Sequence, residues 1–113
     1  MPLREPPDAA DLLATARDVL LNELLPALPA EKALAARMVA NAMAIAARAA
    51  AQDDAWEAAA LARMPGDPSA FAAAIREGRF DPGTPHHAEA AALLDEITRA
   101  RCAVSAPRAL GKG

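Results

Sequence analysis

The apolar positions of the chain recur with helical spacing and not with strand spacing. In the segment 30–52, Leu34, Met38 and Ile45 fall on one side when residues are placed about 100° apart. Alternating apolar runs are only a few residues long, and residues with high helix propensity dominate. The pattern predicts an all-α protein.

Acidic residues, prolines and glycines divide this pattern into five helices. Asp8, with Asp11 three residues later, has the spacing of a capping box. Asp67 and Thr84 are each followed by a proline, which favours the first helical turn, and Gly78 is typical of a helix end. We predict helices over 8–25, 30–52, 53–63, 68–77 and 84–105. The third could instead continue the second with a kink.

The short connections predict a compact bundle of antiparallel neighbours with helix 2, about 30–52, at its centre. We expect a flexible arm over 1–7, one helical domain over 8–106 and a frayed tail over 107–113. The large apolar residues predicted to form the core are Leu12, Leu20, Leu24, Leu34, Met38, Ile45, Phe71, Ile75, Leu93, Ile97 and Val104.

The composition provides few large apolar side chains for that core. Apolar residues are 54% of the 113, but 34 of them are Ala and only 27 are larger. Because a methyl group contributes little on burial, close helix packing or a partner surface is needed to complete the stabilisation. A homo-oligomer is one way to supply that surface.

Charge and aromatic content argue against two classes of partner. The net charge is −3, basic residues form no block, and there are one Trp, two Phe and no Tyr. Nucleic acid therefore has neither an electrostatic nor a stacking surface. The longest uncharged run, 38–47, is shorter than the roughly 20 residues that cross a bilayer. With no apolar run behind a basic start, we expect a cytoplasmic protein and no membrane partner.

Candidate catalytic and metal-binding residues are scarce. Cys102 is the single cysteine, which excludes an internal disulfide and a multi-cysteine zinc site. His86 and His87 are adjacent and point about 100° apart on a helix. Ser69 and Ser105 have no base at helical spacing. We expect no cofactor and no metal, and the chain lacks the usual motifs of an enzyme.

One polar stripe interrupts the apolar faces. Arg37, Asn41 and Arg48 follow i, i+4, i+11 spacing on helix 2, and Glu23 projects into the apolar arc of helix 1. A buried carboxylate needs a partner, so we predict that the four residues cluster and that Glu23 pairs with Arg37. Arg48 is expected to meet Asp11 or the last helix. The cluster is either a structural ion pair or a site that holds an anion.

Three segments together, 20–28, 37–45 with Arg48, and 75–81, resemble a family of small bacterial helical proteins known as a domain of unknown function. The most specific part is Val39-Ala40-Asn41-Ala42. The tail departs from the family's K-L-A-V-x-N-P-R/K pattern, because Ala106 stands where the asparagine is expected.

The resemblance implies a genomic context and no activity. Members of the family tend to be encoded beside an aminoglycoside-phosphotransferase-like kinase and an acyl-CoA dehydrogenase. We therefore expect an accessory module that binds itself or a phosphotransferase-like partner, through surplus apolar positions such as Leu13, Leu21 and Leu25. The alternative is a protein that binds a small acyl or phosphate ligand on the stripe of Arg37, Asn41 and Arg48, with or without weak catalysis.

Overall fold

The computed structural model describes residues 5–111, and within them the secondary structure is helical with no strand. The predicted all-α fold is confirmed. Its α-helices are α1 (Ala9–Val19), α2 (Ala33–Ala51), α3 (Ala55–Arg63), α4 (Pro68–Arg76) and α5 (His87–Ser105). The parts of the predicted arm and tail at 1–4 and 112–113 lie outside the described residues.

Two compact units divide the chain, one ending at Gln52 and one beginning at Asp53. The first is a hairpin of α1 and α2, and the second contains α3, α4 and α5. A single domain over 8–106 with helix 2 at its centre stays a prediction.

The start of α1 follows the predicted capping box. Asp11 donates its backbone N–H to Asp8 Oδ1 at 2.9 Å, and Asp8 donates its own to Asp11 Oδ2 at 3.0 Å. The α-helix does not continue to Leu25, because Leu20–Leu24 form a π-helical turn in which the Leu25 N–H bonds to Leu20 O. Such a turn contains one residue more than an α-helical turn, so it changes the direction in which the following side chains point.

The junction between the units separates α2 from α3. Gln52 has an extended backbone with ψ 134°, and Asp53 Oδ1 accepts the N–H of Ala55 at 2.7 Å. The alternative of one kinked helix is therefore wrong. In α4, Asp67 Oδ1 caps the N–H of Ala70 at 2.7 Å, and Gly78 follows the helix with φ +85°. Both predictions are confirmed.

Two boundaries in the second unit differ from prediction. Helix α5 begins at His87 and not at Thr84, because Thr84 Oγ1 donates to Asp81 O at 2.6 Å and closes the preceding turn. The tail is not frayed from its start, since Pro107–Leu110 form a 3-10 turn that ends at Gly111 with φ +80°.

The second unit has the larger core. Phe71 and Leu93 are buried as predicted, together with Ala60 and Ala90. The rings of Phe71 and Phe80 meet edge to face, with centroids 5.4 Å apart and planes at 72°. The partly buried residues packed around this core are Trp56, Met64, Ile75, Phe80 and Ile97. All three aromatic residues of the chain thus belong to this unit.

The core of the hairpin is different from the predicted one. Its buried residues are Ala36 and Ala40, whereas Leu12, Leu34 and Met38 are 58%, 71% and 64% exposed. Leu24 is also exposed, and Leu20, Ile45 and Val104 are half-buried. The predicted core is wrong at these four exposed positions, because the side chains that α1 and α2 bury completely are small. On α2 the buried contact positions are alanines, so on that side only methyl groups separate the backbone from α1.

Candidate functional site

The face on which α1 and α2 meet is marked by burial along both helices. On α1 the half-buried side chains are those of Leu13, Arg17 and Leu20, and on α2 the buried ones are Ala36 and Ala40. Arg17 crosses this face and donates its Nε–H to the carbonyl oxygen of Ala40 at 3.1 Å. The contact positions repeat every three or four residues, which is the spacing of antiparallel helix pairs.

The contact face fixes what lies on the two long sides of the hairpin. At about 100° per residue, Leu12 and Ala16 of α1 lie on the same side as Val39 and Ala46 of α2. All four are exposed. We call this set, Leu12, Ala16, Val39 and Ala46, the apolar side.

The opposite long side carries charges of both signs. Asp11 and Asp18 of α1 lie on the same side as Arg37, Asn41 and Arg48 of α2. We call these five residues the charged side. The predicted polar stripe of α2 is therefore one half of a longer polar surface.

Glu23 is the predicted site residue whose environment is different from expectation. It lies in the π-helical turn and is exposed, so the prediction of a buried carboxylate was wrong. Arg37 is exposed as well, and within residues 5–111 it forms no ion pair with Glu23. The physical reason is the choice of contact face: packing through Ala36 and Ala40 turns Arg37 toward the charged side, where its guanidinium stays in water.

Asn41 is exposed and Arg48 is half-buried, on the same charged side as Arg37. Whether these three residues and Glu23 hold a ligand stays a prediction. Leu13, Leu21 and Leu25, which were expected on the surface that binds a partner, are half-buried instead. The residues that sequence reasoning assigned to no surface are Val39 and Ala46. The sequence pattern does indicate a second apolar surface on α2. Val39 falls nearly opposite Leu34, and the helix has no continuous polar face.

Helix α2 also bears on the question of a membrane. Together with the turn before it, Ala30–Ala51 is 22 residues long and apolar enough to span a bilayer by length and composition alone. It carries Arg37 and Arg48, and a basic residue at the centre of a membrane helix costs about 2.5–3.5 kcal/mol. Cytoplasmic location stays a prediction.

Within residues 5–111, no group of three or more His, Cys, Asp or Glu side chains is placed to hold a metal ion. Cys102 is half-buried and its thiol is free.

Comparison with known proteins identifies a family. Residues 26–109 match the family described as a domain of unknown function, DUF6285. The chain belongs to this family. The match covers α2 to α5 and begins after α1 and the π-helical turn. Searches among curated proteins and among solved structures give no match.

Proposed function

We propose that this DUF6285 protein is a helical interaction module that associates with a second copy of itself through the apolar side. Two hairpins facing each other across Leu12, Ala16, Val39 and Ala46 would form a four-helix bundle. The observation that carries the proposal is the exposure of Leu12 and Val39, at 58% and 48%, beside the exposed alanines Ala16 and Ala46.

The energetics of the hairpin support a partner on this side. Its buried side chains are two alanines, which supply little hydrophobic stabilisation. Removing a Leu or Val side chain completely from water contributes about 1.5–3 kcal/mol. A four-helix bundle would bury Leu12 and Val39 between the hairpins and supply the core that one hairpin lacks.

Self-association is favoured by symmetry. In a twofold dimer the same surface meets itself, so each charge on that surface is repeated on its partner. The apolar side avoids this repulsion because none of its four residues is charged. The charged side is less suited, because a dimer across it would remove the charged side chains of Asp11, Asp18, Arg37 and Arg48 from water. That desolvation costs several kcal/mol per ion and is recovered only where the charges pair well.

The test compares matched Leu-to-Glu substitutions on the full chain. Leu12→Glu places a charge on the apolar side, and Leu34→Glu places one at a more exposed leucine on the edge of the charged side. We expect a dimer in sedimentation equilibrium that Leu12→Glu weakens at least about tenfold, or 1.4 kcal/mol, and that Leu34→Glu leaves unchanged.

A wild-type monomer at every accessible concentration would overturn the proposal, and so would equal effects of the two substitutions. If the wild type is monomeric and an aminoglycoside-phosphotransferase-like protein co-purifies with it, that partner occupies the apolar side instead of a second copy. Its capture should then be lost in Leu12→Glu and kept in Leu34→Glu.

A second candidate is an anionic acyl or phosphate ligand on the charged side. It is supported by the exposed guanidinium of Arg37 next to the exposed amide of Asn41, one helical turn away. Asp18 on the same side opposes it. A thermal-shift screen with phosphorylated and coenzyme-A-linked metabolites tests this candidate, since a ligand at 100 times its dissociation constant adds about 2.7 kcal/mol. Arg37→Gln should abolish any shift found.

A further inference from the structure

A pocket of about 490 Å³ opens within the second unit, at the place where α3 ends and α5 begins. Its volume falls in the range of about 300–1,000 Å³ that is usual for small-molecule sites. The polar residues on its wall are Arg63, from the last turn of α3, and His86 and Glu89, at the start of α5.

The apolar part of the wall is rigid and partly aromatic. Phe71 and Leu93 are each 3% exposed and belong to the core, and Phe80 meets Phe71 edge to face. Phe80 is held in turn by its backbone, because its carbonyl oxygen lies 2.8 Å from His87 Nδ1. An apolar ligand body placed here contacts side chains that are already ordered, which limits the entropy lost on binding.

The three polar groups on the wall are not equivalent. The Arg63 side chain is 45% exposed, whereas those of His86 and Glu89 are 67% and 82% exposed. Charge interactions are screened least where a group is least exposed, so Arg63 dominates the recognition of a charged ligand. The Glu89 carboxylate lies 3.6 Å from His86 Nδ1, so its charge faces the imidazole.

The Arg63 guanidinium has hydrogen-bond donors that its pair with Glu96 does not use. Its Nη1 is paired with Oε2 of Glu96, one turn further along α5 than Leu93. A guanidinium carries five N–H donors, so Nε and Nη2 can still hold a carboxylate in the two-point geometry that arginine favours.

From this arrangement we propose that the pocket binds a small apolar carboxylate, aromatic or branched. The apolar body lies against Phe71, Phe80 and Leu93, and the carboxylate bonds to Arg63. Glu96 then acts as an internal competitor for the same guanidinium. The site is independent of the apolar side of the hairpin, because all of its residues belong to the second unit.

Three probes with the same naphthalene ring and different charge test the ligand class. We would titrate the ¹⁵N-labelled full chain with 2-naphthoate, with 2-naphthamide and with 2-naphthylmethylammonium, and follow the amide signals of Ala90 and Leu93. Naphthoate should shift these signals and bind at least about tenfold more tightly than the neutral amide, as expected for a charge-assisted hydrogen-bonded pair. The ammonium should bind more weakly than the amide.

Two substitutions with opposite expected effects then test the role of Arg63. Arg63→Gln should remove the preference for naphthoate over naphthamide, and Glu96→Gln should strengthen naphthoate binding several-fold by removing the carboxylate charge that opposes a second anion at Arg63. The matched control is Arg79→Gln, since Arg79 is also an exposed arginine paired with a glutamate, Glu77, but lies outside the pocket. Arg79→Gln should leave the affinities for naphthoate and naphthamide unchanged.

Saturable binding of the ammonium with equal or higher affinity would overturn the proposal, since Glu89 would then govern the site. Absence of naphthoate binding at millimolar concentration, or shifts away from α5, would overturn it too. If Arg63→Gln fails to fold, the probe series and Glu96→Gln still test whether the pocket binds a carboxylate. Loss of self-association in Leu12→Glu leaves all these results unchanged, so the two proposals can fail separately.

Discussion

Arg17 of α1 donates its Nε–H to the carbonyl oxygen of Ala40 in α2, across a distance of 3.1 Å. This is a bond from a charged side chain to the backbone of the other helix. Ala40 is 2% exposed and has no side chain beyond its methyl group. The small residue therefore leaves space for the guanidinium to reach the backbone, and the bond fixes how the two helices are aligned along their length.

Replacing Arg17 should destabilise the hairpin. Arg17→Met keeps a long apolar side chain and removes the donor, so we expect a loss of about 1.5–3 kcal/mol, the range for hydrogen bonds to charged groups. Urea unfolding followed by circular dichroism measures the change. The control is Arg99→Met, which breaks an exposed pair with Asp95 and should cost at most about 0.5 kcal/mol. Equal losses in both variants would contradict the role of Arg17.

The tight contact at Ala40 predicts a strong dependence on side-chain size. Ala40→Leu should destabilise by about 1–3 kcal/mol, because added methylene groups in a close contact force the helices apart. Ala42→Leu makes the same substitution two residues later at an exposed position and should stay within about 0.5 kcal/mol of wild type. Thermal unfolding of the two variants under the same conditions compares them. A tolerated Ala40→Leu would show that the hairpin does not depend on close approach.

Exposure of Glu23 and Arg37 makes them dispensable for stability. Glu23→Ala and Arg37→Met should each change the free energy of unfolding by about 0.5 kcal/mol or less, as is usual for exposed positions. Denaturant unfolding of the single and double variants forms a double-mutant cycle. A loss of several kcal/mol in Glu23→Ala, recovered when Arg37→Met is added, is the result that a buried ion pair would give, and it would contradict the exposed arrangement.

The turn after α4 requires glycine for two separable reasons. Gly78 has φ +85°, and a Cβ added there would lie 3.0 Å from Asp81 Oδ2, whereas Gly83 has φ +92° with nothing within 4 Å. Gly83→Ala should thus cost only the left-handed backbone, about 1–2 kcal/mol. Gly78→Ala should cost more, and Gly78→Ala combined with Asp81→Ala should return to the level of Gly83→Ala. Calorimetric midpoints of the three variants provide the comparison.

The helix ends were predictable because their chemistry is local. Asp8 with Asp11, and Asp67 before a proline, act within three residues of their own position, so sequence spacing is sufficient. The prediction that Thr84 begins the last helix is wrong for a related reason. A threonine near a proline can cap the following helix or close the preceding turn, and its bond to Asp81 O selects the second.

The hairpin contact face could not be read from apolar periodicity, because α2 is apolar on more than one side. Leu34 and Met38 suggest one core direction, and Ala36 and Ala40 another. The π-helical turn at Leu20–Leu24 also rotates the side chains that follow it, and a uniform spacing of about 100° per residue does not predict this rotation. The position of Glu23 depends on both, which explains why its partner was predicted wrongly. The pocket beside Phe71 is assembled from three helices and the two segments that connect them, so no single stretch of sequence carries its signature.

The placement of all three aromatic residues in the second unit gives the two units different optical signals. Trp56 is the single strong intrinsic fluorophore, and the segment 1–52 contains no aromatic side chain. Tryptophan emission therefore reports the unfolding of α3 to α5 alone, while far-ultraviolet dichroism reports every helix. If the hairpin and the second unit unfold as one cooperative body, the two melting curves coincide, and separate midpoints show that the units unfold independently.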